Sequence, residues 1–274
     1  MRILVTNDDG IDSIGLHVLA RAMAPLGDVV IAAPDEEYSG FGAALGTLFT
    51  MRPEVKDVNI DGIDEAWSVS GPPALCAMFG RLGVFGDIDL VVSGVNPGAN
   101  VGHSVYHSGT VGACLTARNG GTSGVAISQS VEGIGVEGQG WEEALLNQKW
   151  EGAAEVAAVA VEALLGDLPD DPVVLNINVP NRRMADMHGW RRTRVGSEPP
   201  RSMSKAQLTP KLGHDGTFHV DMEWGDAIEL PIDSDGGAVM AGYASLSWLG
   251  RIEGVDSADA AVTSTEAAFD EFYR

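Results

Sequence analysis

Apolar residues in this chain come in short unbroken runs that alternate with stretches of helical spacing. Ile3-Leu4-Val5 is the first run; it extends over 2–6 and stops at Thr6-Asn7. Residues 15–26 place Leu16, Leu19, Ala20, Met23 and Ala24 on one helical face. A second run, DVVIAA at 28–33, ends at Pro34. These three pieces predict a βαβ unit, whose parallel strands need a right-handed crossover. The same logic predicts strands over 67–70, 89–93, 124–128 and 173–179, and helices over 72–82, 108–118 and 150–165. Proline at the head of the 72–82 segment suits a first helical turn. The Gly- and Asn-rich residues 94–107 read as a long loop. Strands apolar on both sides, alternating with helices, predict a doubly wound, Rossmann-like α/β three-layer sandwich with a mostly parallel sheet.

Past Pro180 the texture changes. Residues 181–248 gain Pro, Gly and Asp, with alternating pieces such as 217–222, and read as a hairpin-rich extension. Helical spacing returns over 255–273, with Asp256 or Ser257 as the expected cap. The chain therefore divides into a core, 1–180, and a C-terminal extension with a terminal helix, 181–274. The Gly/Glu-rich stretch 129–149 reads as an exposed loop.

Charge narrows the function. The 274 residues carry 39 acids and 17 bases, four of them Lys, for a net charge of -22. Such a surface offers no basic stripe to a nucleic-acid polymer and no attraction to an anionic membrane. No apolar run reaches the roughly 18 residues of a membrane span, and nothing at the start reads as a signal peptide. A cytoplasmic protein is the expectation. Cys76 and Cys114 lie in apolar helical stretches and read as buried hydrophobes, not as a disulfide or metal pair.

An anionic substrate would be repelled by this surface at long range, so its site needs local positive charge, and a cation would supply it. Ligands of open α/β sheets sit beyond the carboxyl ends of the strands. Three stretches fall there: Asn7-Asp8-Asp9-Gly10, Tyr38-Ser39-Gly40, and Ser93 through Gly102 (SGVNPGANVG). The acid pair alone admits two readings. Asp8 could cap a helix while Asp9 faces solvent, or the two could share a cation that cancels their repulsion. Ser39 and Asn96 add a hydroxyl and an amide oxygen. The resulting all-oxygen set of Asp8, Asp9, Ser39 and Asn96 suits one Mg²⁺ or Mn²⁺ per subunit. Ser108-Gly109-Thr110 opens a helix and offers N–H groups, two hydroxyls and a dipole end to a phosphate, although a plain Ser cap fits the same residues. His107 fits a hydrogen-bond donor or general acid for a leaving group, and equally an ordinary loop histidine.

NDDG after the first strand, YSG after the second, SGVNPGANVG after a later one and HSGTV opening a helix, with LNINVP at 175–180, together resemble the SurE family of 5'/3'-nucleotidases. The stretch SDGGAVMAGYASLSWL at 234–249 is a worn version of a further family segment. The resemblance implies metal-dependent phosphomonoesterases acting on nucleoside monophosphates, some also cleaving short polyphosphate. It puts metal ligands at Asp8, Asp9, Ser39 and Asn96, and phosphate contacts at Ser108, Gly109 and Thr110. It implies homodimers or homotetramers that exchange the C-terminal hairpin and helix. The chain departs from the family at Gly71-Pro72-Pro73-Ala74-Leu75-Cys76, where a Thr and an Asp are missing. Two other readings stay open: a catalytically weakened nucleotide-binding protein, and an oligomeric stress-associated protein whose acidic surface recruits basic partners.

Overall fold

A computed structural model describes residues 1–46, 52–131, 145–254, 256 and 259–273. Among these, the N-terminal part alternates as the periodicity requires: β1 (Arg2–Thr6), α1 (Ile14–Met23), β2 (Asp28–Pro34), β3 (Val55–Asp57), β4 (Glu65–Val69), α2 (Pro73–Arg81), β5 (Leu90–Pro97), α3 (Gly109–Asn119), β6 (Ser123–Gln129), α4 (Trp150–Gly166) and β7 (Val174–Val179). The chain then forms β8 (Trp190–Arg192), β9 (Met203–Pro210), β10 (Phe218–Trp224), α5 (Asp235–Met240), β11 (Ala244–Leu249) and α6 (Ala260–Phe272).

One sheet has the order β3-β4-β2-β1-β5-β6-β7-β11-β8. The strands from β4 to β7 are parallel, while β3 and β11 run antiparallel to their neighbours β4 and β7. The strands alternate their apolar side chains between two helical layers. Ile3 and Val5 pack with Leu16, Leu19, Ala157 and Val161 of α1 and α4. Leu4 packs with Leu75, Ala77, Ala113 and Ala117 of α2 and α3. Each Leu, Ile or Val so enclosed contributes roughly 1.5–3 kcal/mol against exposure, which is why these strands are apolar without a period of two. Cys76 and Cys114 are free and buried in the second layer, and burial pushes the Cys76 thiol up to about 12.

The chain leaves β1 toward β2 on one side and later returns to β5 on the other, so the order reverses between β1 and β5. That reversal opens a crevice at the carboxyl ends of the two strands.

Four details differ from the sequence reading. The stretch 94–107 is not all loop. β5 continues to Pro97, and a 3₁₀ helix spans Gly102–Tyr106. A break in the β5–β6 register between Ser93 and Asn96 accommodates this. Gly94 sits there at φ +138°, where a Cβ would meet the Ile127 carbonyl oxygen at 2.3 Å. Only glycine allows the strand to bulge and run on. Second, the region 181–248 is more than hairpins. β9 and β10 do pair as one, but β8 and β11 join the main sheet beyond β7. Third, α6 is capped by Asp259, whose carboxylate accepts from the N–H groups of Ala261 and Val262. Asp256 and Ser257 precede the helix, and Ser257 lies outside the described residues. Fourth, the exposed-loop reading of 129–149 falls largely on 132–144, also outside them; Gln129 ends β6 and is buried.

Candidate metal and phosphate site

Asp8 and Asp9 follow β1 directly into the crevice. Asp8 is 3% exposed. Its Oδ1 accepts from the Thr110 hydroxyl at 2.6 Å and its Oδ2 from the Gly109 N–H at 3.1 Å. The first turn of α3 thus closes on this carboxylate, and a Cβ at Gly109 would meet the Asp8 side chain at 2.8 Å. The orphan donors and dipole of a helix N-terminus stabilise a carboxylate at that place. Even so, burial outweighs these donors and raises the Asp8 titration above the ordinary aspartate range.

Asp9 is the more exposed to strain of charge. Its Oδ2 is enclosed and has no hydrogen-bond partner. Burial, repulsion from Asp8 and repulsion from Glu37 push its carboxyl well above the usual range, with its own backbone N–H and the Asn7 side chain offsetting part. A buried acceptor without a partner costs about 1–3 kcal/mol, more when charged. A cation between the two carboxylates removes that cost and their repulsion together. The donor set therefore fits a hard divalent ion, held by Asp8 and Asp9 with neutral oxygens beside them.

The other two proposed ligands stand on the same rim. Thr6 faces Ser93 in the β1–β5 register, so Asp9 and Asn96 each come three residues past a paired position. The Asn96 amide Nδ2 donates to the Gly98 carbonyl at 2.6 Å, a bond that does not use its Oδ1. The Ser39 loop is held at both ends: the Tyr38 N–H donates to the Asp8 carbonyl at 2.7 Å, and the Gly42 N–H to the His107 carbonyl at 3.0 Å. Ser39 between them is exposed. The loop fits because Gly112 of α3 has no side chain: a Cβ there would lie 2.2 Å from the Gly42 oxygen. Among the described residues, no three His, Cys, Asp or Glu side chains gather into a metal cluster, so the set depends on these neutral oxygens.

Ser108 is the N-cap of α3, its hydroxyl accepting from the Val111 N–H at 3.1 Å. The Gly109 N–H and the Thr110 hydroxyl serve Asp8, and the Ser108 hydroxyl keeps its proton to donate elsewhere. His107 ends the 3₁₀ helix with its imidazole exposed beside this turn. His103 turns away, its Nδ1 3.1 Å from the Ser197 carbonyl.

One supporting group escaped the sequence reading. The Asn178 Oδ1 accepts from the Asn100 N–H at 2.7 Å, and the Asn176 and Asn178 amides both donate to the Asn100 carbonyl. Asn100 in turn donates to the Ser128 hydroxyl, and the Gly102 N–H donates to Asp235. This buried clamp fixes the segment that follows Asn96 and β5. The signal was present: two asparagines at i and i+2 inside an apolar strand face one side together, and such groups stay buried only when partnered.

The raised acids make a prediction about the fold itself. A carboxyl raised in the folded state favours folding below the ordinary aspartate range and loses that contribution as pH rises through its elevated value. Asp9→Asn abolishes that loss. In EDTA, urea denaturation is expected to show Asp9→Asn more stable than the parent, by a margin that widens from about pH 5 to about pH 8. A margin that is absent, or that narrows over this range, contradicts the buried pair.

The model of the family described as Survival protein SurE matches residues 3–201. The chain is 35% identical to the 5'-nucleotidase SurE of Acinetobacter baylyi over 263 residues, covering 90% of this chain and 92% of that protein. It is 32% identical over 252 residues to the 5'-nucleotidase SurE of Haemophilus influenzae, covering 90% of each. The crystal structure of SurE protein from Aquifex aeolicus superposes with a TM-score of 0.73 at 28% identity, covering 98% of this chain and all of that one. The chain whose twin aspartates close the β1–β5 crevice belongs to the SurE family.

Proposed function

We propose that this protein is a divalent-metal-dependent phosphomonoesterase that hydrolyses nucleoside 5'-monophosphates, and 3'-monophosphates, to nucleoside and phosphate. The observation that carries the reading is the partnerless buried oxygen of Asp9 beside Asp8 at the switch point of the sheet. The 5'-nucleotidase relatives support the substrate class.

Asp8, Asp9, Ser39 and Asn96 would hold one Mg²⁺ or Mn²⁺. When bound, such an ion polarises a phosphate oxygen and acidifies a water. The chain's own groups do the rest. Asp8 has both oxygens engaged by α3, so it is a fixed charge. Asp9 Oδ2 has no donor and is the oxygen left for the ion, while the second Asp9 oxygen can take a proton from an attacking water. Ser108, Gly109 and Thr110 border the phosphate, with the Ser108 hydroxyl free to donate to it. Gly109 and Thr110 share their donors with Asp8, which links phosphate binding to the orientation of that carboxylate. The exposed His107 imidazole is the candidate hydrogen-bond donor or general acid for the departing ester oxygen.

We also propose a homodimer or homotetramer built through residues 181–274. The β9–β10 hairpin is exposed along its length, and α6 exposes Phe269, Phe272 and Tyr273. Among the described residues no helix is long and apolar enough to cross a membrane.

Phosphate release from AMP is expected to require Mg²⁺ or Mn²⁺, to vanish in EDTA and to return with added Mn²⁺. Asp9→Asn is expected to lower turnover at least ~10²-fold, as loss of a key electrostatic group does. Activity that survives EDTA, or near-normal turnover in Asp9→Asn at saturating Mn²⁺, overturns the assignment. Light scattering of the full chain is expected to give the mass of two or four copies, and removal of 255–274 to lower it; a monomer mass contradicts the assembly.

A further inference from the structure

A cleft of about 510 Å³ opens beside the catalytic crevice, in the size range of small-molecule pockets. Its walls come from the carboxyl ends of three successive strands. Gly98 follows β5, Ser130 follows β6 and Asn181 follows β7. The acids follow β1 and Asn96 lies near the end of β5, so the cleft continues the same rim by one to two strands. It touches the proposed site twice. Gly98 accepts from the Asn96 amide, and Ser104, also in the wall, accepts through its carbonyl from the Ser108 N–H at 3.1 Å.

The far wall is Arg201 and Trp224. The Arg201 guanidinium carbon lies 6.0 Å from the Trp224 ring centroid, and its Nε donates to the Gly225 carbonyl at 2.6 Å. That bond ties the pair to the base of the hairpin. Trp224 ends β10, opposite Met203 of β9, and is 39% exposed. Val239 supplies apolar floor. The cleft also borders the one basic stretch of this acidic chain: Arg182, Arg183, Arg191, Arg192, Arg194 and Arg201 fall within 182–201, against the two acids Asp186 and Glu198.

A half-exposed indole with a guanidinium over it stacks planar π-systems. Across the cleft, the Ser130 hydroxyl accepts from the Asn181 N–H and keeps its proton to donate to a sugar hydroxyl. From these features we infer that this cleft takes the nucleoside of the substrate, with the base against Trp224 and Arg201. A nucleotide whose phosphate sits at the β1–β5 crevice can reach this cleft with its ester-linked remainder by crossing the rim of β5 toward β6 and β7. The C-terminal hairpin is then a specificity element that completes the substrate site. This assignment rests on the nucleotidase reading. Arg201 and Trp224 lie outside every motif that carried the resemblance.

The test is Trp224→Ala in the full chain, with folding checked by its melting temperature. It is expected to raise KM for AMP about tenfold, the usual cost of losing one stacked base, with kcat within about threefold. Trp224→Phe is expected to restore most of the loss. Equilibrium dialysis with adenosine, which carries no phosphate, is expected to show the same tenfold weakening. Should Trp224→Ala fail to fold, Arg201→Ala is read in the same two assays. Unchanged AMP KM and unchanged adenosine binding overturn the assignment, as does a fall in kcat with KM unmoved. A parent that releases no phosphate from AMP defeats the nucleotidase reading alone, because adenosine binding still decides the cleft.

Discussion

Two carboxyl groups in adjacent positions, both withdrawn from water, are the constraint around which this fold is arranged. Each opposes the ionisation of the other, and burial opposes both. The chain resolves half of the problem by itself. It brings the N-terminus of α3 to Asp8, so that a backbone N–H and a hydroxyl from a distant helix satisfy the two oxygens. It leaves Asp9 with an enclosed oxygen and no donor. An unmet demand for positive charge at the switch point of the sheet costs folding stability.

The parts around the pair make that demand specific. The bulge at Gly94 carries β5 past its expected end and delivers Asn96 to the rim. The clamp of Asn176 and Asn178 on Asn100 holds the loop behind it. Asp235, far along the chain, secures the next turn through Gly102. The C-terminal region thus supports the site without belonging to the α/β alternation. Arg201 and Trp224 extend the same dependence from the phosphate end to the rest of the substrate.

Much of this was legible in the residues, because apolar runs and helical spacing are local signals. The first two strands and the helix between them follow from Ile3 to Ala33 alone. What was not legible came from tertiary choices. Gly94 reads locally as a strand end, yet a glycine also permits a bulge, and only the neighbouring Ile127 carbonyl decides between them. The stretch at 244–249 reads as one more alternating piece, yet it pairs with β7 and extends the sheet. At α6, three acceptors within four residues are chemically equal as caps, and the observed helix start selects Asp259. The Asp8 readings were posed as alternatives, cap or ligand. The structure bears on the first: Asp8 sits at a helix N-terminus, but that of α3, some hundred residues away, and not that of α1.

The claim most in need of direct test is that the Asp9 oxygen waits for a cation. A crystal soaked in Mn²⁺ and measured at the manganese absorption edge reads this without reference to activity. The account predicts one anomalous peak per chain, in contact with Asp8 and Asp9 and within reach of Ser39 and Asn96. A crevice without a peak at saturating Mn²⁺, or a peak bound elsewhere, would contradict it.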